Sequence, residues 1–122
     1  MKLHLETNIG TYQIQSVDPQ SITINNVVYT HNLILMPEHL EEWAVDSFDH
    51  LQVTHIEQIL NLHPDLVLLG TGPRQRFPAP VLLAPLINAR IGIEVMDTPA
   101  ACRTYTILMG DGRAVAAALL FQ

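Results

Sequence analysis

Two short stretches decide the fold: Leu66-Val67-Leu68-Leu69-Gly70-Thr71-Gly72, and later Ile91-Gly92-Ile93-Glu94-Val95-Met96-Asp97-Thr98-Pro99. Each opens as a nearly continuous apolar run and closes in turn-forming residues. That is the pattern of a strand buried on both faces, which arises where helices cover a parallel sheet from either side. The segments around them read as those helices. Thr54-His55-Ile56-Glu57 has the form of a capping box, with Ile56, Ile59, Leu60 and His63 following at helical spacing until Pro64 ends the helix. Pro80 to Ala89 suits a second helix that Pro85 kinks or breaks, and Thr98 with Pro99 opens a third that runs to Met109. Gly110-Asp111-Gly112 supplies a turn, and Val115 to Phe121 a last apolar strand. Strand, helix, strand, helix, strand implies a right-handed crossover with helices packed on a sheet.

The first third reads differently. Leu3-His4-Leu5, Tyr12-Gln13-Ile14 and Ile22-Thr23-Ile24 alternate apolar and polar residues and are separated by Gly10 and by Asp18-Pro19, as antiparallel strands are. Asn25-Asn26 before Val27-Val28-Tyr29 fits a tight hairpin, because asparagine tolerates the left-handed conformations that such turns require. Leu33-Ile34-Leu35 gives a further strand stopped by Pro37, and Glu38 to Leu51, with its lone Trp43, reads as loop with one helical turn. The expected class is α/β: a single three-layer β/α domain over residues 1–122, with an antiparallel β-rich N-terminal part and a mixed central sheet flanked by helices.

Composition narrows the function. Of 122 residues, 48% are hydrophobic and 15% charged, which suits a chain with a substantial core and excludes intrinsic disorder. The net charge of -6 argues against nucleic acid, whose phosphate backbone is gripped by basic stripes. Charge is also unevenly spread: residues 1–65 hold nine acids against Lys2, and residues 66–122 hold five arginines against three acids. Cys102 is the only cysteine, so neither an intrachain disulfide nor a cysteine-rich zinc site can form, as suits a reducing compartment. No apolar run approaches the roughly 20 residues of a membrane helix, and the N-terminal residues lack a signal-peptide pattern. These features together indicate a cytoplasmic protein with no membrane insertion.

One candidate site emerges. If the two buried strands are parallel, Gly70-Thr71-Gly72 and Asp97-Thr98 share a sheet edge, where open α/β sheets place ligands. Backbone amides of the glycine loop, Arg74, Arg76 and the amino end of the helix after Thr98 are then able to hold a small anion. The alternative is plain turn chemistry. Gly-Thr-Gly is neither a phosphate-binding Walker loop nor a dinucleotide fingerprint. Cys102 flanks the apolar face of Ala101, Tyr105 and Leu108, so it reads as a buried structural thiol before it reads as a nucleophile. Arg103 points away from that face, toward solvent or a partner. Glu94 in a buried strand calls for an ion pair, with Arg90 or Arg113. His4, His31, His39, His50, His55 and His63 show no metal-ligand spacing, and no motif implies a cofactor or a catalytic residue.

The stretch from Gly92 to Tyr105, with Leu68-Leu69-Gly70-Thr71-Gly72 upstream and Arg113-Ala114-Val115-Ala116-Ala117-Ala118-Leu119-Leu120 at the end, resembles the signature of a small α/β family of unknown function. That family includes the mitochondrial complex I (NADH:ubiquinone oxidoreductase) assembly factor 3 and bacterial proteins. The chain departs from its pattern at Thr106 and Pro85. The resemblance implies a three-layer β/α fold, no established catalytic residue, and a role in protein interaction or assembly for the mitochondrial members. Lacking their targeting sequence, this chain looks like the bacterial type. A non-enzymatic interaction or assembly-accessory module, with protein partners, is therefore expected. The alternative is an enzyme or small anionic-ligand binder working through Gly70, Thr71, Gly72, Arg74, Arg76, Asp97, Thr98, Cys102 and Arg103.

Overall fold

The structure, a computed structural model, describes residues 11–121. In chain order the elements are β1 (Ile14–Asp18), β2 (Ser21–Ile24), β3 (Val27–Tyr29), β4 (Leu33–Met36), β5 (His39–Glu42), α1 (Val53–Leu60), β6 (Leu66–Thr71), α2 (Ala84–Asn88), β7 (Gly92–Met96), α3 (Thr98–Met109) and β8 (Val115–Leu120). Short 3-10 turns at Phe48–His50 and Pro80–Leu83 precede α1 and α2.

The apolar runs of β4, β6 and β8 form the middle of a five-stranded sheet of order β5-β4-β8-β6-β7. β6 pairs in parallel with both β7 and β8, and β4 lies antiparallel to β8. Because a strand turns alternate residues to opposite faces, each run feeds two cores. Leu33, Leu35, Leu68, Val115, Ala117 and Leu119 enter one, with Ala101, Cys102 and Tyr105 of α3 and Ile22 and Ile24 of the hairpin sheet β1-β2-β3. Ile34, Val67, Leu69, Ala116, Ala118 and Leu120 enter the other, with Trp43, Ile56, Ile59 and Leu86 beneath α1 and α2. The result is a three-layer α/β arrangement with a mixed central sheet, as the sequence indicates.

Several boundaries differ from the sequence reading. Leu3-His4-Leu5 and Gly10 lie outside the described residues. The strand expected at Tyr12 begins at Ile14, because Asn25 captures the preceding backbone: its Oδ1 accepts from the Gln13 amide at 2.9 Å and its Nδ2 donates to the Thr11 carbonyl. Asn25 and Asn26 do form the expected turn, both with positive φ (48° and 70°). The stretch after Pro37 is not all loop, since β5 pairs with β4. Helix α1 starts at Val53, not at the Thr54 box: Gln52 is the cap, and its amide donates to Nδ1 of His55 at 3.0 Å. It ends at Leu60, and His63 turns into the left-handed region at φ 54°.

Pro85 divides the second helical stretch as expected, into the Pro80–Leu83 turn and α2. Strand β7 is not buried on both faces. It is an edge strand, so Glu94 is exposed to solvent and forms no ion pair with Arg90 or Arg113. Asp97, not Thr98, caps α3, accepting from the Ala100 amide at 2.8 Å. Freed from that role, Thr98 takes another.

Candidate functional site

The parallel pairing of β6, β7 and β8 carries the ends of all three to one edge of the sheet, and Thr98 joins them there. Its Oγ1 accepts from the Gly72 amide at 2.8 Å and donates to the Leu120 carbonyl at 2.5 Å, while its own amide donates to the Gly72 carbonyl at 2.8 Å. Gly70 makes this approach possible. A Cβ at that position would lie 3.0 Å from both Cα and Oγ1 of Thr98. Thr71 makes a similar node one residue on: its Oγ1 donates to the Arg74 carbonyl at 2.7 Å and accepts from the Arg76 amide at 3.1 Å. Buried Asn32 completes the edge, its Oδ1 accepting from the Phe121 amide and its Nδ2 donating to the Val45 carbonyl. No local pattern marks Asn32, whose partners are far along the chain.

This geometry decides what the expected anion cradle offers. Gly70, Thr71, Gly72, Asp97 and Thr98 are brought together, but the donors among them are spent within the chain. The Gly72 amide serves Thr98, the Ala100 amide serves Asp97, and Pro99 has no N–H. Arg76 turns away, pairing with Asp49 at 2.7 Å and stacking over the Phe48 ring at 4.2 Å. Arg74 is exposed on the loop. Cys102 is buried in the α3 core, and burial pushes its thiol up to about 12, against a small opposing pull from Arg103. A thiol held so far above neutrality is a poor nucleophile. Two backbone donors of the expected cradle, the Gly72 and Ala100 amides, are thus engaged by the chain's own side chains.

Beside this edge lies an open groove of about 480 Å³, lined by Val17, Asp18, Pro19, Gly72, Pro73, Thr98, Pro99 and Arg103. Of the residues singled out in the sequence, Gly72, Thr98 and Arg103 border it. The turn between β1 and β2 supplies the opposite wall, which a local reading of the chain does not reveal. Three prolines and a valine line the groove without side-chain donors, and Asp18 and Arg103, on opposite walls, bring opposite charges to it. Among the described residues, no group of three His, Cys, Asp or Glu is arranged to hold a metal ion, and no helix is long and apolar enough to cross a membrane.

Comparison with known proteins agrees with this fold. A family model described as protein of unknown function (DUF498/DUF598) matches residues 14–120. The chain is 32% identical over 117 residues to the NADH dehydrogenase (ubiquinone) 1 alpha subcomplex assembly factor 3 of Danio rerio, covering 94% of this chain and 67% of that protein. It spans from 48% to 67% of the length of the vertebrate proteins of that name that it matches, at 67% for Danio rerio and 48% for Mus musculus. It is also 28% identical over 94 residues to the 13 kDa major membrane protein of Francisella tularensis, covering 75% of this chain and 76% of that protein. Among solved structures, a Bordetella parapertussis protein superposes with a TM-score of 0.85 at 34% identity, covering 91% of this chain and 96% of that one.

Proposed function

Since the chain belongs to the family of proteins of unknown function DUF498/DUF598, we propose that it is a non-enzymatic interaction module that accompanies the assembly of larger protein complexes. The observation that carries this reading is the strand edge. Where an α/β sheet would hold a small ligand, the Gly72 and Ala100 amides are bonded within the chain, and what remains open is a proline-walled groove bordered by Arg103. The assembly-factor name of the Danio rerio relative supports a role beside a multi-subunit complex, respiratory or membrane-bound. We place the protein in the bacterial cytoplasm, acting as one domain over residues 1–122, with its contact surface among the residues at the ends of β6 and β7 and the start of α3. Its lone, buried cysteine suits a reducing compartment.

The test is affinity purification of the chain, tagged at its chromosomal locus, at low and high salt, with mass spectrometry of bound proteins and released small molecules. Arg103→Glu is the matched variant, because Arg103 is exposed and its replacement leaves the core intact, whereas Thr71→Glu would bury a charge. Recurrent subunits of a membrane or respiratory complex, reduced several-fold by Arg103→Glu, are the expected result. A stoichiometric small molecule with no protein, together with rapid labelling of Cys102 by a thiol reagent at neutral pH, would overturn the reading in favour of ligand chemistry.

A further inference from the structure

A second surface, separate from the groove, is built by the helical layer over the other face of the sheet. Helix α1 lies on the β5 side, where Gln58 donates to the Glu41 carboxylate and the Glu42 carbonyl. Helix α2 lies on the β7 side, with Leu86 buried among Ile91, Ile93 and Val95. The stretch that leads into and forms α2 keeps large apolar side chains in solvent, with Phe77 73% exposed, Val81 69% and Ile87 56%, and Val53 at the start of α1 is exposed as well. Elsewhere among the described residues, large exposed apolar side chains are confined to the β3 hairpin and to Ile107. A concentration of this kind on one layer marks a contact surface.

Charge frames this apolar centre with opposite signs on its two sides. On the α1 side stand Glu57 and Glu42, both exposed. On the α2 side there is no acidic residue from Gly70 to Ile93, while Arg74 and Arg90 are exposed and carry no ion pair, Arg76 being taken by Asp49. Glu94 does not disturb this division. It is in register with Leu68, whose side chain enters the α3 core, so Glu94 is turned to the opposite face of the sheet.

An apolar centre with an acidic rim on one side and a basic rim on the other is complementary to itself under a twofold rotation. With the axis lying in this face along the boundary between α1 and α2, each α1 faces the partner's α2, and Glu57 approaches the basic rim that Arg90 forms. We propose that this layer is the interface of a symmetric homodimer, with Phe77, Val81 and Ile87 at its centre and the Glu57 and Arg90 sides as its rim.

Sedimentation velocity of the full chain, from micromolar to millimolar concentration, reads the proposal directly. The expected result is a reversible doubling of mass that weakens with salt, because the rim charges are screened. Ile87→Asp should raise the dissociation constant at least tenfold. Arg90→Glu should weaken association, and combining it with Glu57→Arg should restore it. All three positions are exposed, so the variants keep their fold, and far-ultraviolet circular dichroism checks that. Dimers indifferent to Ile87→Asp and Arg90→Glu overturn the proposal by placing the contact elsewhere. A chain that stays monomeric overturns it too. If that monomer then co-sediments with phosphatidylglycerol vesicles, the face belongs to an anionic membrane surface; if it does not, to a different protein. None of these outcomes touches the Arg103 groove, so this proposal and the proposed function fail separately.

Discussion

At Thr98 a hydroxyl that the sequence marks as a helix cap instead bonds Gly72 and Leu120, the ends of two strands remote from each other in the chain. Asp97 is the better cap, because its carboxylate reaches the Ala100 amide and carries negative charge at the positive end of the helix. Thr98→Val keeps the shape but leaves a buried amide and a buried carbonyl without their partner. It should cost about 2 kcal/mol in urea denaturation, and Thr98→Ser distinctly less. A loss in Thr98→Ser with Thr98→Val unchanged would show that the methyl group, and not the hydrogen bonds, matters. Tyr105 presents the converse case. It is fully buried and its hydroxyl has no hydrogen-bond partner, so burial raises its pKa and the oxygen contributes only a desolvation cost. Tyr105→Phe should be neutral or stabilising by up to about 1 kcal/mol. A clear loss of stability in thermal unfolding would mean that the hydroxyl is bonded after all.

At the scale of elements, β5 shows how a short edge strand is fastened. It lies outside β4 with few apolar residues of its own, and Glu41 ties it to α1 through Gln58 and to its own strand through His39. Partial burial alone would raise the Glu41 pKa, but the Gln58 and His39 hydrogen bonds and the His39 charge outweigh it and hold the carboxyl below its ordinary value of 4.5. A carboxylate whose folded pKa is depressed contributes stability that is complete above 4.5 and is lost as pH falls through the folded value. Urea midpoints of the protein and of Glu41→Gln should therefore be furthest apart near neutral pH and converge in acid. A gap that stays constant with pH would dismiss the charge as its source. The sequence reading missed β5 because His39-Leu40-Glu41-Glu42 has no alternation to distinguish it, and its partner β4 alone fixes it as a strand.

For the molecule as a whole, the decisive feature is that β8 lies between β4 and β6 with every residue buried. Its run of alanines lets both cores approach the sheet closely, and its amides are paired on both sides. Hydrogen exchange should therefore be slowest in β8 and β6, at rates set by global unfolding. The loop and helical turns from Pro73 to Asn88 should exchange faster, because their outer face is exposed. Exchange in β8 as fast as in α2 would contradict a structure organised around the central strand.

Read by itself, the sequence determined the class, the buried runs of β6 and β8, the Asn25-Asn26 hairpin, the break at Pro85, and a buried cysteine. Each of these rests on periodicity or on the conformational limits of single residues, which neighbours in the chain impose. Tertiary structure alone decided that β7 is an edge, that Glu94 faces solvent, that Gln52 and not Thr54 caps α1, and that Thr98 joins the ends of β6 and β8 instead of capping α3. These depend on which strand lies outermost and on which side chain reaches a distant amide first. Both follow from packing over long sequence separations, and no local pattern encodes them.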